Sequence, residues 1–191
     1  MNPVHAEASA AHAPPVAARV LVAGVGNIFL RDDGFGPEVA RRLASESSLL
    51  ASDVHVVDYG IRGMHLAYDL LDDVDVLVLV DAVPSEPGPP LEGGEQPGSA
   101  AGSIRVMRIR SEDLDGRAAL DPHGMNPAAV LGRLRTLGGE LPTTYVVGCV
   151  PEDVSEGIGL TDPVSAAVPE AVAAVVSLLA RHTPVNPSVT A

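Results

Sequence analysis

The stretch Val74-Asp75-Val76-Leu77-Val78-Leu79-Val80 decides the fold. Six of its seven residues are valine or leucine. A strand that is almost wholly apolar is typical of a parallel sheet that is covered on both faces. Other apolar segments predict further strands at 20–25, 54–57 and 145–150. Helical patterns separate them, at 37–43, 64–71 and 127–137. This alternation predicts a doubly wound α/β fold with helices on both faces of the sheet.

The remaining elements follow from local signals. Residues 104–109 alternate apolar side chains with Arg105 and Arg108, which predicts a half-exposed strand at the sheet edge. Thr161-Asp162-Pro163 predicts a helix start, with a capping side chain followed by proline. We expect Pro169 to break or kink that last helix.

The chain of 191 residues, 46% of them hydrophobic, fits one α/β domain, predicted at 19–182. Residues 1–18 and 183–191 are predicted to be disordered tails because their composition cannot support a core. Residues 84–102 are rich in Pro, Gly, Ser and Glu and predict a flexible surface loop within the domain.

The charge and the cysteine content limit the classes of partner. The formal net charge of −13 repels phosphate backbones and anionic lipids, so we expect neither nucleic acid nor a membrane as partner. Cys149 is the single cysteine and suits a reducing compartment. The N-terminal segment lacks a basic start and a continuous apolar run, so we expect a cytoplasmic protein.

Acidic residues follow or end the predicted strands. Asp32 and Asp33 come after the first strand, Asp58 ends the second and Asp81 follows the third, while His123 precedes the helix at 127–137. Ligands bind at the carboxyl ends of the strands in such sheets, so these side chains are expected to converge. Carboxylates with an imidazole suit a divalent transition metal, or a general acid and base. Taken singly, an aspartate in such a position is more often a turn former or a helix cap, and the histidine a solvated loop residue. This interpretation is weaker for Asp81, because a carboxylate that closes an almost wholly aliphatic strand is costly without a partner.

The first loop leaves a second interpretation open. Gly24-Val25-Gly26 after a strand is typical of a dinucleotide site, and Asp58 would then bind the ribose. Against this, Phe29 stands at the third glycine position, and two aspartates lie where a pyrophosphate would approach. The predicted helix also begins only after Gly36, too late to hold phosphate.

The ordered motifs resemble those of the hydrogenase maturation endopeptidases. The resemblance extends from about residue 20 to 181 and is carried by Gly24-Val25-Gly26-Asn27, Asp32-Asp33-Gly34, Asp58-Tyr59-Gly60, Asp81-Ala82-Val83, Asp121-Pro122-His123, Val147-Gly148-Cys149-Val150-Pro151-Glu152 and Gly159-Leu160-Thr161. It implies a three-layer α/β/α fold whose five-stranded, mostly parallel twisted sheet has one antiparallel edge strand.

The resemblance also implies an activity. Members of the family remove a C-terminal extension from the large-subunit precursor of a nickel–iron hydrogenase, after nickel insertion. The family's metal ligands and catalytic residues match Asp33, Asp81 and His123, with nickel supplied by the substrate precursor and no organic cofactor. We expect Gly24, Gly26, Asn27 and Asp58 to contact the substrate. Two alternatives stay open, a dinucleotide-binding oxidoreductase and a noncatalytic nickel-binding chaperone.

Overall fold

The computed structural model describes residues 18–46, 50–85, 100–114 and 127–183, and its centre is a five-stranded sheet. The strands are β1 Val20–Val25, β2 Val54–Gly60, β3 Val76–Ala82, β4 Ile104–Ile109 and β5 Thr143–Cys149. Their order across the sheet is β2-β1-β3-β5-β4. All neighbouring pairs are parallel except β4, which runs antiparallel to β5 at the edge. The predicted sheet and its antiparallel edge strand are therefore confirmed.

Helices cover both faces of this sheet. A 3-10 turn, Arg31–Gly34, leads into α1 Phe35–Ser45, and the other helices are α2 Gly63–Asp69, α3 Ser111–Leu114, α4 Pro127–Thr136 and α5 Asp162–His182. One core cluster joins the sheet to α1 and α5, and the other joins it to α2 and α4. Along β3, Val76, Val78 and Val80 enter the first cluster, whereas Leu77 and Leu79 enter the second. This alternation explains why residues 76–80 of the strand are all apolar and confirms the three layers.

The last helix differs from its prediction. It continues through Pro169 without a break, and the proline is exposed on the solvent side. The carbonyl group left without its helical donor can therefore be solvated by water. By length and composition α5 could cross a membrane. In this fold, however, Val164, Ala171 and Val175 are fully buried in the core cluster, as expected for a core helix.

Arg105 also departs from the half-exposed pattern predicted for β4. Its side chain is buried and donates hydrogen bonds to the carbonyl oxygens of Pro84 (2.7 Å) and Ser85 (2.9 Å). Val106 and Arg108 are the exposed residues of the strand. The guanidinium group thus binds the segment that leaves β3, which a pattern of alternating residues cannot reveal.

Most of the predicted tails and loop lie outside the described residues, since these leave out 1–17, 86–99 and 184–191. The strands that lead to the site extend further than predicted. β3 runs to Ala82, so Asp81 lies within the strand, and β2 runs to Gly60, so Asp58 also lies within its strand.

Candidate functional site

Two predicted site carboxylates meet at the carboxyl edge of the parallel strands. Asp33 lies on the 3-10 turn that follows β1, and Asp81 lies near the end of β3, which is the neighbour of β1. Asp81 is only 7% exposed, and its Oδ1 accepts a hydrogen bond from the Ala82 backbone N–H at 2.8 Å. Burial, and then the charge of Asp33, raise the pKa of Asp81 well above its ordinary value. The two carboxyl groups are therefore close enough to repel each other electrostatically.

The first loop folds back so that Asp33 closes it. Asp33 Oδ2 accepts a 2.7 Å hydrogen bond from the Asn27 N–H. Gly26 makes this path possible, because its φ is +131° and a Cβ there would lie 1.9 Å from the Asp33 carbonyl oxygen. A residue with a side chain could therefore not replace Gly26 without displacing Asp33.

The same packing argues against the dinucleotide interpretation. A Cβ on Gly24 would lie 2.4 Å from the Gly36 carbonyl oxygen. The missing side chain therefore lets the start of α1 pack closely against β1 and leaves no space for a ligand there. The backbone N–H of Asn27 is already bound to the carboxylate of Asp33. A pyrophosphate would need the space and the donors that the chain itself uses.

Asp32 has a role that sequence reasoning did not find. Its buried carboxylate accepts hydrogen bonds from the backbone N–H groups of Glu152 (2.9 Å), Asp153 (3.0 Å) and Thr161 (2.7 Å), and from the Thr161 hydroxyl (2.9 Å). Burial alone would raise the pKa of Asp32, but these hydrogen bonds outweigh it and the pKa is lowered. Asp32 therefore fixes the loop between β5 and α5 (residues 151–161, the second loop) against the first loop (residues 26–34).

Further contacts brace these two loops. Leu30 forms an isolated parallel bridge with Gly157, whose N–H donates to the Phe29 carbonyl oxygen at 2.9 Å. The Arg31 N–H donates to the Gly157 carbonyl oxygen at 3.1 Å, and Arg31 Nε lies 3.1 Å from Asp153 Oδ2. Arg31 has a φ of +46°, an uncommon conformation that these contacts hold in place.

The other predicted site residues lie in different surroundings. Asp58 pairs with Gly24 in the sheet and has an exposed side chain, at the same edge as Gly26. His123 lies outside the described residues. Within the ranges that the structure describes, no group of three or more His, Cys, Asp or Glu side chains could hold a metal ion. The structure thus brings together two of the three predicted ligands.

Cys149 is a core residue, as its place in β5 suggested. It is fully buried, and burial, followed by the charges of Asp32 and Glu170, raises its pKa to about 12. Such a thiol stays protonated at neutral pH and is a poor nucleophile.

Comparison with known proteins agrees with this architecture. A family model described as "HycI: Hydrogenase maturation protease" matches residues 37–178. The Hydrogenase 2 maturation protease of Escherichia coli (strain K12) is 30% identical over 161 residues, which cover 84% of this chain and 90% of that protein.

Solved structures of the same class have the same fold. The hydrogenase maturating endopeptidase HybD from E. coli superposes with a TM-score of 0.65 at 30% identity, over 84% of this chain and 91% of HybD. The hydrogenase 2 maturation peptidase from a Thaumarchaeota archaeon gives a TM-score of 0.59 at 30% identity, over 85% and 98%. The fold is that of these α/β maturation peptidases. The chain belongs to the hydrogenase maturation protease family.

Proposed function

We propose that this protein removes the C-terminal extension of a nickel–iron hydrogenase large-subunit precursor after nickel insertion, and that Asp33, Asp81 and His123 bind the nickel carried by that precursor. The observation that supports it is the convergence of Asp33 and Asp81 at the carboxyl edge of the sheet. Asp81 is buried beside a second carboxylate, an arrangement that a divalent cation stabilises by compensating both negative charges.

The ligand set favours a metal that arrives with the substrate. Two carboxylates and one imidazole are a modest set without a thiolate, and such ligands would also bind copper or zinc. The site is therefore poorly suited to selecting nickel from solution. It is better suited to completing the coordination of an ion that the precursor already holds. The nickel would report that loading is complete and position the scissile peptide bond.

The residues around the carboxylates provide the remaining functions. Gly26 and Asn27 shape the first loop, and we assign that loop to substrate binding along the sheet edge. Gly24 lies within β1 against the start of α1, so its part in substrate binding is indirect. Asp58 is exposed at that edge, and we assign it to substrate binding and to the role of general base.

The test compares nickel-loaded with nickel-free precursor, with the product resolved by mass. The wild type is expected to shorten only the loaded precursor. Asp33→Asn, Asp81→Asn and His123→Ala should each abolish processing. Asp72→Asn, an exposed aspartate that follows α2 away from this edge, serves as the matched control and should retain it.

Three outcomes would contradict different parts of the proposal. Equal cleavage of both precursor forms would refute metal recognition but not the peptidase activity. Full activity of His123→Ala would refute its assignment as a ligand. A precursor that binds but keeps its full mass would support the nickel-binding chaperone instead.

A further inference from the structure

The two braced loops present apolar side chains to solvent beside the site. In the first loop Ile28 is 51% and Phe29 63% exposed, and in the second Ile158 is 81% exposed. Single exposed apolar residues are common on protein surfaces. These three differ because the backbone hydrogen bond between Phe29 and Gly157 brings the two loops into direct contact. We call these three residues the loop patch.

The composition makes the exposure of Phe29 informative. The chain has two phenylalanines and no tryptophan. Phe35 is fully buried under the sheet, whereas Phe29 projects into solvent. Aromatic residues are enriched at the centres of protein interfaces, where they supply large contact areas.

The loop patch borders the carboxylate site. Asn27, which donates to Asp33, directly precedes Ile28. Gly34 follows Asp33, and a Cβ at Gly34 would lie 3.2 Å from the Ile28 Cα. The patch and the carboxylate site therefore adjoin, so a chain segment that approaches Asp33 across the first loop would contact both.

The backbone under the patch is fixed before any partner binds. The Asp32 carboxylate binds three backbone N–H groups of the second loop, and Leu30 pairs with Gly157. A preorganised surface loses little conformational entropy on binding. This favours docking of an extended segment and not a rearrangement of the loops.

The charge of the two loops indicates the chemistry of the partner. Residues 26–34 and 151–161 contain five carboxylates and one guanidinium group, a formal net charge of −4. The single guanidinium, that of Arg31, already lies against Asp153. Glu152 and Glu156 are exposed. The surface is thus complementary to a segment that has both apolar and basic side chains.

We propose that the loop patch docks the precursor segment that adjoins the scissile bond. This segment places an apolar side chain against Phe29 and Ile158 and has a lysine or arginine beside that side chain. This inference rests on the proposed function, since it takes the hydrogenase precursor as the partner.

The experiment uses the full chain and a nickel-loaded large-subunit precursor from the same organism. It measures kcat and KM for cleavage, and separately the binding of precursor to immobilised protein. Ile158→Ser and Phe29→Ser should each raise KM and the dissociation constant by about tenfold or more, because each removes one apolar side chain from the contact. Neither should change kcat by more than about twofold, since both retain the carboxylates.

The control is Leu137→Ser, which also removes an exposed apolar side chain (42% exposed). Leu137 follows α4 and precedes β5, so it lies at the opposite end of the strands from the site. Its kinetics should equal those of the wild type. Added salt should raise the wild-type KM, and Glu156→Gln should reduce that dependence.

The outcomes separate the two proposals. If the wild type cleaves the precursor and both loop-patch variants keep its KM, the docking surface is refuted and the proposed function stands. If the wild type binds without cleavage and Ile158→Ser loses binding, the surface is supported and the peptidase activity is refuted. If the wild type neither binds nor cleaves, both are overturned. A KM that is independent of salt overturns the basic character of the segment.

Discussion

Replacing Asp32 by asparagine tests whether this carboxylate holds the two site loops together. Asparagine has the same shape, but its amide has one acceptor oxygen and a donor in place of the other. Whichever way the amide turns, its NH2 group faces a backbone N–H, either that of Thr161 or those of Glu152 and Asp153. At least one donor therefore loses its partner.

The magnitude follows from the number of hydrogen bonds. One buried unpaired donor costs about 1–3 kcal/mol, and each remaining bond weakens by about 1 kcal/mol when its acceptor becomes neutral. The second loop borders water, and water can partly replace the lost contacts. We therefore take the low end of these contributions and expect the free energy of unfolding to fall by about 4 kcal/mol. This is a large share of the roughly 5–15 kcal/mol typical of a domain.

The measurement is urea unfolding, with the midpoint and the slope recorded for each variant. Asp153→Asn is the matched control. It changes a half-exposed carboxylate that pairs with Arg31 and accepts the Ser155 N–H, and it should cost less than about 1 kcal/mol. Precursor cleavage should fall in Asp32→Asn, because Asp33 is the next residue. A loss below about 1 kcal/mol in Asp32→Asn would refute the bracing role.

Three further predictions concern pH and single side chains. The pKa of Asp32 lies below its ordinary value of 3.8, so its contribution is complete above that pH and lost as the pH falls through the folded-state pKa. The difference in unfolding free energy between wild type and Asp32→Asn should thus be constant from about pH 5 to 8 and shrink below 3.8. Gly26→Val should abolish cleavage and lower the melting temperature, because its Cβ would meet the Asp33 carbonyl oxygen; cleavage at the wild-type rate would contradict the packing seen here. Tyr59→Phe removes a 2.6 Å hydrogen bond to Asp69 and should cost about 1–2 kcal/mol in urea unfolding, whereas an unchanged midpoint would show that water replaces it.

Hydrophobic patterning predicted the sheet well because a buried strand needs apolar residues at consecutive or alternating positions, and this pattern is visible in a short stretch of sequence. The strand predicted at 104–109 has the observed bounds of β4, and β1 matches equally well. The pattern predicted the third strand at 74–80, whereas β3 spans Val76–Ala82. Its end was missed because Asp81 is buried there although it is polar. Asp33 and Asp81 could be placed at one edge from the rule that parallel strands end together.

Long-range polar contacts could not be predicted in this way. Thr161 has the residue type of a helix cap, yet its side chain makes no capping hydrogen bond and its hydroxyl donates to Asp32, 129 positions earlier. No local pattern distinguishes such an aspartate from a turn former. The same holds for Arg105, whose partners Pro84 and Ser85 lie about 20 residues away.

The anchoring of the segment after β3 has a consequence for evolution of the family. Arg105 holds its start at Pro84 and Ser85, and the Gly102 N–H holds its end through a 2.8 Å hydrogen bond to the Val150 carbonyl oxygen. With both ends fixed to the sheet, the length of chain between them can change without displacing Asp81. Closing a longer loop costs little, since each doubling of length adds only about 0.6 kcal/mol. Insertions at this position can therefore accumulate and diversify between species while the site stays constant.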